Sequence, residues 1–140
     1  MFYFDLSEKL KIMKFSYTIL YVKDVVQSVA FYEKAFGLKQ QFIHESKQYA
    51  EMETGGTTLA FASNELAKSN LPQGFRENSL SNLPAGIEIG FVTDDITAAL
   101  SRAIEAGAVI VVDAKVKPWG QTVAYLCDLD GILVEIASQM

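Results

Sequence analysis

Pro118-Trp119-Gly120-Gln121-Thr122-Val123-Ala124-Tyr125-Leu126-Cys127-Asp128-Leu129-Asp130-Gly131-Ile132-Leu133-Val134-Glu135-Ile136-Ala137-Ser138 is the stretch on which the fold is decided. Thr122, Ala124 and Leu126 alternate with Val123, Tyr125 and Cys127, the period of a β-strand. Asp128-Leu129-Asp130-Gly131 is turn chemistry, and Asp-Gly supplies the positive φ that a short hairpin needs. A second apolar run covers 132–137, so the stretch reads as two strands joined by a tight turn. Glu135 interrupts that run between Val134 and Ile136. A carboxylate flanked by β-branched residues either faces solvent or lines a cavity, which makes Glu135 the first candidate site residue.

Working outward, the same order of signals occurs twice. An aromatic and β-branched run at 14–23 predicts a strand. Asp24 offers an N-cap to a helix over 25–36, on which Val25, Val29, Tyr32 and Phe36 form an apolar face, and Gly37 ends it. Strands are expected at 40–44, 48–53 and 57–62, with Gly55-Gly56 in the last turn. After residue 85 the order repeats: a strand at 86–93, Asp94-Asp95 capping a helix over 96–106, Gly107 stopping it, and strands at 109–116, 121–128 and 132–138. At an offset of 71, Asp24-Val25 meets Asp95-Ile96 and Val29 meets Leu100; at an offset of 75, Gly56 meets Gly131.

The expected fold is therefore α+β, two tandem βαβββ units at about 13–63 and 86–138 within one domain spanning 13–140. Residues 64–85, rich in Asn, Ser, Pro and Gly with a short helix near 65–68, form the linker, and residues 1–12 are an N-terminal extension with no assigned role. Each helix covers one face of its sheet. Two such sheets side by side curl into a cup-shaped mixed sheet with room for a ligand.

Bulk properties narrow the function. A formal net charge of -5 leaves no basic stripe for phosphates, which excludes a nucleic-acid partner. Cys127, the single cysteine, cannot form an internal disulfide and reads as a small buried hydrophobe. No run approaches the roughly 18 apolar residues of a membrane span, and the first dozen residues lack the features of a signal peptide. The expectation is a cytoplasmic protein without a membrane partner. Phosphate loops and nucleophile elbows are absent from the sequence.

Two segments carry a resemblance to a known family: Tyr17-Thr-Ile-Leu-Tyr-Val-Lys-Asp with Phe31-Tyr32-Glu33-Lys34-Ala35-Phe36-Gly37-Leu38, and the tail from Pro118 to Glu135. The chain resembles the vicinal oxygen chelate superfamily, which groups glyoxalase I, extradiol dioxygenases, fosfomycin-resistance enzymes and bleomycin-resistance proteins. The resemblance implies the glyoxalase/bleomycin-resistance/dihydroxybiphenyl dioxygenase-like fold and a homodimer with clefts near the subunit interface. It also implies a divalent metal held by the first and last strands of each unit, usually through His or Gln, Glu, His and Glu. The matching positions here are Tyr17, Ala60, Glu88 and Glu135. Two carboxylates and a phenol make a poor site for Zn²⁺ or Fe²⁺, which favour at least one imidazole. His44, the only histidine, lies off the ligand strands.

The first reading is thus a small-molecule-binding protein of the bleomycin-resistance kind, without metal or other cofactor. Its cup would be lined by Tyr17, Glu88, Trp119, Gln121 and Glu135, and its acidity would favour a cationic or hydrogen-bond-donating ligand. The alternative is a glyoxalase-like lyase or isomerase, preferred over a dioxygenase, with Mg, Mn, Ni or Zn on Glu88 and Glu135 and one of those two carboxylates moving a proton. A third possibility is a dimeric scaffold with no ligand chemistry.

Overall fold

The structure, a computed structural model, describes residues 12–140. The extension assigned to residues 1–12 lies outside the described residues, apart from Ile12. The elements run β1 (Tyr17–Val22), α1 (Val25–Phe36), β2 (Lys39–Ile43), β3 (Tyr49–Glu53), β4 (Thr58–Ser63), α2 (Asn64–Asn70), β5 (Glu88–Val92), α3 (Ile96–Ala106), β6 (Val109–Val116), β7 (Thr122–Cys127) and β8 (Leu133–Ala137). They form two four-stranded sheets ordered β1-β4-β3-β2 and β5-β8-β7-β6. Each is mixed: β1 with β4 and β5 with β8 are parallel, and the other pairs are antiparallel.

The repeat is exact in its registers. Tyr17 stands opposite Thr58 in the first sheet and Glu88 opposite Leu133 in the second, which restores the offsets of 71 and 75. Both long helices start on an aspartate: the Asp24 side chain accepts from the Gln27 amide and that of Asp95 from the Ala98 amide. β1 is shorter than the sequence pattern suggests for a physical reason. Its only ladder partner is β4, which begins at Thr58, so residues 14–16 have no strand to join. The linker helix, expected at 65–68, starts one residue earlier, where Ser63 Oγ accepts from the Leu66 amide, and runs two residues further to Asn70.

Alternation sorts the side chains. Leu20, Val22, Met52, Leu59 and Phe61 of the first sheet face α1, where Val25, Val29, Tyr32 and Ala35 meet them. Leu126, Val134 and Ile136 of the second sheet join the same core, with Ile89 and Phe91 packed against it. The units dock through that core. Phe36 of α1 stacks on Phe91 of β5 with ring centroids 4.7 Å apart. Arg102 of α3 donates to the carbonyls of Lys34 and Glu33 at the end of α1.

The turn between β7 and β8 completes the docking. Asp128, 2% exposed, accepts the Tyr32 hydroxyl at 2.6 Å through Oδ2 and the amides of Asp130 and Ile132 through Oδ1. Asp130 accepts the Lys23 amide at 2.8 Å. Burial pushes the Asp128 carboxyl up, opposed by the bonds it accepts, and pushes the Tyr32 phenol up as well. Gly131 has φ 79°, and a Cβ there would lie 2.6 Å from the Ser79 carbonyl oxygen, so only glycine fits. A turn legible as hairpin chemistry is also the staple between the halves. Among the described residues no helix is long and apolar enough to cross a membrane.

Candidate functional site

The faces turned away from the helices lie beside each other. β1 and β5 are each one edge of their sheet, and Ile19, Leu20 and Tyr21 line one cleft with Ile87 and Ile89. Thr18 lines another with Ile89, Gly90 and Phe91. The two edges therefore run alongside one another, and the helix-free faces form one open surface. On the first sheet, alternation places Tyr17, Ile19, Tyr21, Tyr49, Glu51 and Ala60 there; on the second, Glu88, Gly90, Val92, Tyr125 and Glu135.

Equivalent rows of the two sheets carry different chemistry. In the first, Ile19, Ala60, Glu51 and Phe42 stand in line across β1, β4, β3 and β2. In the second, the same row reads Gly90, Glu135, Tyr125 and Val112. Glu135 thus occupies the place of a methyl group, and Tyr125 that of Glu51.

The second row gathers the polar groups. Tyr125 lies directly opposite Glu135, and that nearby carboxylate pushes the phenol up. Gly90, on the other side of Glu135, leaves its carboxylate open; a Cβ there would stand 3.7 Å from Oε2. Glu88 shares the face two residues before Gly90, and its carboxyl is raised by burial and then by the charge of Glu135. The first sheet holds a phenol–carboxylate pair that is hydrogen-bonded: the Tyr49 hydroxyl donates to Glu51 Oε2 at 2.8 Å. Burial and that bond, with a contribution from Tyr17, push the Tyr49 phenol well up. Phe42 lies against Tyr49 with ring centroids 6.1 Å apart. Among the described residues the only ion pair is Lys68 with Glu77, so none of Glu51, Glu88 and Glu135 has a lysine or arginine partner.

The expected lining residues fall into separate places. Glu88 and Glu135 come together on the second sheet, while Tyr17 stands across the seam near Tyr49. Trp119 and Gln121 sit in the turn between β6 and β7. There the indole N–H donates to Gln121 Oε1 at 2.9 Å and Gln121 Nε2 donates to the Ser138 carbonyl at 3.0 Å. Ser138 lies three residues beyond Glu135, about 10 Å along the strand. Gln121 spends both ends of its amide bracing that turn, and Trp119, 62% exposed, is no lid on the core. His44 is exposed, with Nδ1 held by Ser46. Cys127 is buried and its thiol is raised by burial.

Sequence reasoning passed over Tyr125, Tyr49 and Glu51 as ordinary strand residues. The signal for Tyr125 was available: a hairpin turn centred on Leu129-Asp130-Gly131 pairs residue 125 with residue 135 once the register is counted from it.

A divalent metal does not fit this donor set. The four equivalent positions supply a phenol, a methyl group and two carboxylates, and among the described residues no group of three His, Cys, Asp or Glu side chains converges. Zn²⁺ and Fe²⁺ want nitrogen or sulfur donors, and Mg²⁺ or Mn²⁺ would depend on water for most of its shell.

Comparison with known proteins places the chain among others of this shape. Residues 15–140 match the family model described as a glyoxalase-like domain. A glyoxalase/bleomycin resistance protein/dioxygenase family enzyme from Burkholderia phytofirmans PsJN superposes with a TM-score of 0.78 at 23% identity, over 91% of this chain and 100% of that one. A glyoxalase-related enzyme from Fulvimarina pelagi gives 0.76 at 20% identity, over 91% and 89%. A glyoxalase/bleomycin resistance protein/dioxygenase superfamily member from Sphaerobacter thermophilus gives 0.65 at 18%, over 91% and 98%. At these identities the likeness is one of fold. No curated protein matches the chain.

Proposed function

The chain belongs to the family of glyoxalase-like domains, and from that premise we propose that it binds a small organic molecule on the open face shared by its two sheets, without a metal. The ligand carries a positive or hydrogen-bond-donating group that meets Glu135 and Glu88. The observation that carries this reading is the row Gly90-Glu135-Tyr125: a carboxylate with a phenol directly opposite it, open on its other side, and with no ion-pair partner among the described residues. A ligand that brings the missing positive charge relieves the repulsion between Glu135 and Glu88. Tyr17, Ile19 and Tyr21 offer the apolar floor across the seam, on which a planar or aliphatic body rests.

The test is a set of thermal melts with aromatic amines and with Mg²⁺, Mn²⁺, Ni²⁺ and Zn²⁺, preceded by elemental analysis of the purified protein. A ligand of the folded state contributes about 2.7 kcal/mol at roughly a hundredfold excess over its Kd. An amine that raises Tm in the native chain and loses most of that effect in Glu135→Gln is the expected outcome. A stoichiometric metal whose stabilisation vanishes in Glu88→Gln and Glu135→Gln would overturn the reading in favour of metal-assisted lyase or isomerase chemistry.

A further inference from the structure

A cavity of about 460 Å³, the size of a small-molecule site, lies between the C-terminal end of α1 and α3, over the end of β5. Phe36, Leu38, Phe91 and Ile136 line it. The first three are only partly buried, so apolar surface stays open within it. Phe91 and Ile136 each follow by one residue a position of the open face, Gly90 and Glu135, and alternation turns them to the other side of the sheet. The cavity and the carboxylates of the open face are therefore on opposite sides of the second sheet.

One wall carries a cation that no acid neutralises. Asp95, Ala98 and Arg102 fall on one face of α3, and all three line the cavity. Arg102 Nε donates to the Lys34 carbonyl at 2.6 Å and Nη2 to the Glu33 carbonyl at 3.3 Å, which holds the guanidinium at the end of α1. Those bonds leave the N–H groups of Nη1 unused, and among the described residues no carboxylate pairs with Arg102. Gly37 keeps that corner clear, since a Cβ there would stand 3.2 Å from Nη1. Asp95 lies seven residues earlier, about 10 Å along the helix, with Oδ1 taken by the Ala98 amide. The cavity thus has a positive end, a negative end and apolar walls between them. Phe36 and Phe91, stacked with centroids 4.7 Å apart, make one of those walls aromatic. We propose that this cavity binds an aromatic monocarboxylate, with its carboxylate on Arg102 Nη1, its flat body against Phe36 and Phe91, and an uncharged end toward Asp95. A guanidinium already held in place loses little freedom when it takes up a charge-assisted bond. The charge preference is the reverse of that at Glu135 and Glu88, so this site does not depend on the reading of the open face.

The experiment is titration calorimetry of the full chain with 2-naphthoate, its neutral analogue 2-naphthamide and naphthalene-2,6-dicarboxylate, with circular dichroism to confirm folding. The native chain is expected to bind 2-naphthoate at least about tenfold more tightly than the amide. Arg102→Gln should bring the two to the same affinity. Ala98→Phe should abolish binding of both by filling the cavity with Arg102 intact, and Glu135→Gln should change neither. The dicarboxylate should bind more weakly than 2-naphthoate, because its second charge points toward Asp95. An Arg102 that serves only to tie α3 to α1 predicts no binding, or no preference for the carboxylate, in the native chain, and either result overturns the proposal. So does binding that survives Ala98→Phe or is lost in Glu135→Gln, because the ligand then sits elsewhere. The comparison of ligands on the native chain and the Ala98→Phe variant decide the matter even where Arg102→Gln does not fold.

Discussion

In the first half of the molecule α1 buries Val25, Ser28, Val29, Phe31, Tyr32 and Ala35, whereas in the second half α3, equivalent to it in the repeat, buries Ala103 alone. The first strands follow the helices: β1 buries Leu20 and Val22, whereas no residue of β5, its equivalent, is fully buried. Two copies of one topology have been put to different uses: the first supplies most of the packed interior, and the second carries the open carboxylates. The second half is then held in place largely by what it borrows from the first, through the Tyr32–Asp128 bond, the Lys23–Asp130 bond and the Arg102 contacts.

The surest way to break that dependence is Asp128→Ala. It leaves the Tyr32 hydroxyl and two amides without an acceptor in a buried place, a loss of about 3–5 kcal/mol. Urea unfolding would measure it, and amide exchange should show β5–β8 opening before β1–β4. Uniform opening of both halves would mean that they are a single cooperative unit.

The turn glycines give the next largest contrast. Gly131→Ala pushes a Cβ into the Ser79 carbonyl and holds a non-glycine residue at positive φ, which should cost at least about 2 kcal/mol. Gly56→Ala, at the equivalent position of the first half, meets nothing within 4 Å and should stay within roughly 0.5 kcal/mol of the native chain. Chemical denaturation of both variants decides it. Equal effects would show that the second turn is not the tighter joint.

The repeat itself was legible because its signals are local: an aspartate cap, an apolar helical face and a terminal glycine recur at a fixed offset, and each acts through its own neighbours. The register equivalence of Tyr17 with Glu88 and of Ala60 with Glu135 followed from the same counting and reappears in the ladders. What alternation cannot convey is how completely each face is covered. The apolar pattern of α3 is as regular as that of α1, yet its burial depends on how the halves dock. Pairing was equally hidden. Nothing near Asp128 in the sequence points to Tyr32, 96 residues away, and Trp119 and Gln121 looked like cleft residues until their hydrogen bonds tied them to each other and to Ser138.

Core truncations sharpen the comparison at smaller scale. Val29 and Leu100 are equivalent in the repeat; Val29 is 2% exposed and Leu100 only half-buried against the core. Val29→Ala should cost roughly 2 kcal/mol and Leu100→Ala roughly 1, although the leucine loses more atoms, because the cavity term applies fully only where the surroundings are closed. A larger loss at Leu100, measured by urea unfolding, would mean that α3 is packed as firmly as α1.

The smallest expected effect is one of pH, and it too belongs to the second half. The turn between β3 and β4 is braced by a hydroxyl, Thr54, which donates to the Thr57 carbonyl and accepts from the Leu59 amide. The turn between β7 and β8 uses a buried carboxylate, Asp128, raised above its ordinary 3.8 by burial despite the bonds it accepts. Between 3.8 and its folded value that group stays protonated in the folded chain while it ionises in the unfolded one. The unfolded state then binds fewer protons, so stability falls as pH rises through that window and levels off above it. Asp128→Asn keeps an oxygen for the two amides and cannot ionise, so the difference in unfolding free energy between it and the native chain should drift with pH just above 3.8. Asp130, also raised, remains in both proteins and cancels from the difference. A difference that is flat across the acid range would show that Asp128 is ionised as readily in the fold as in the unfolded chain, and that the hydrogen bonds from Tyr32, Asp130 and Ile132 outweigh its burial.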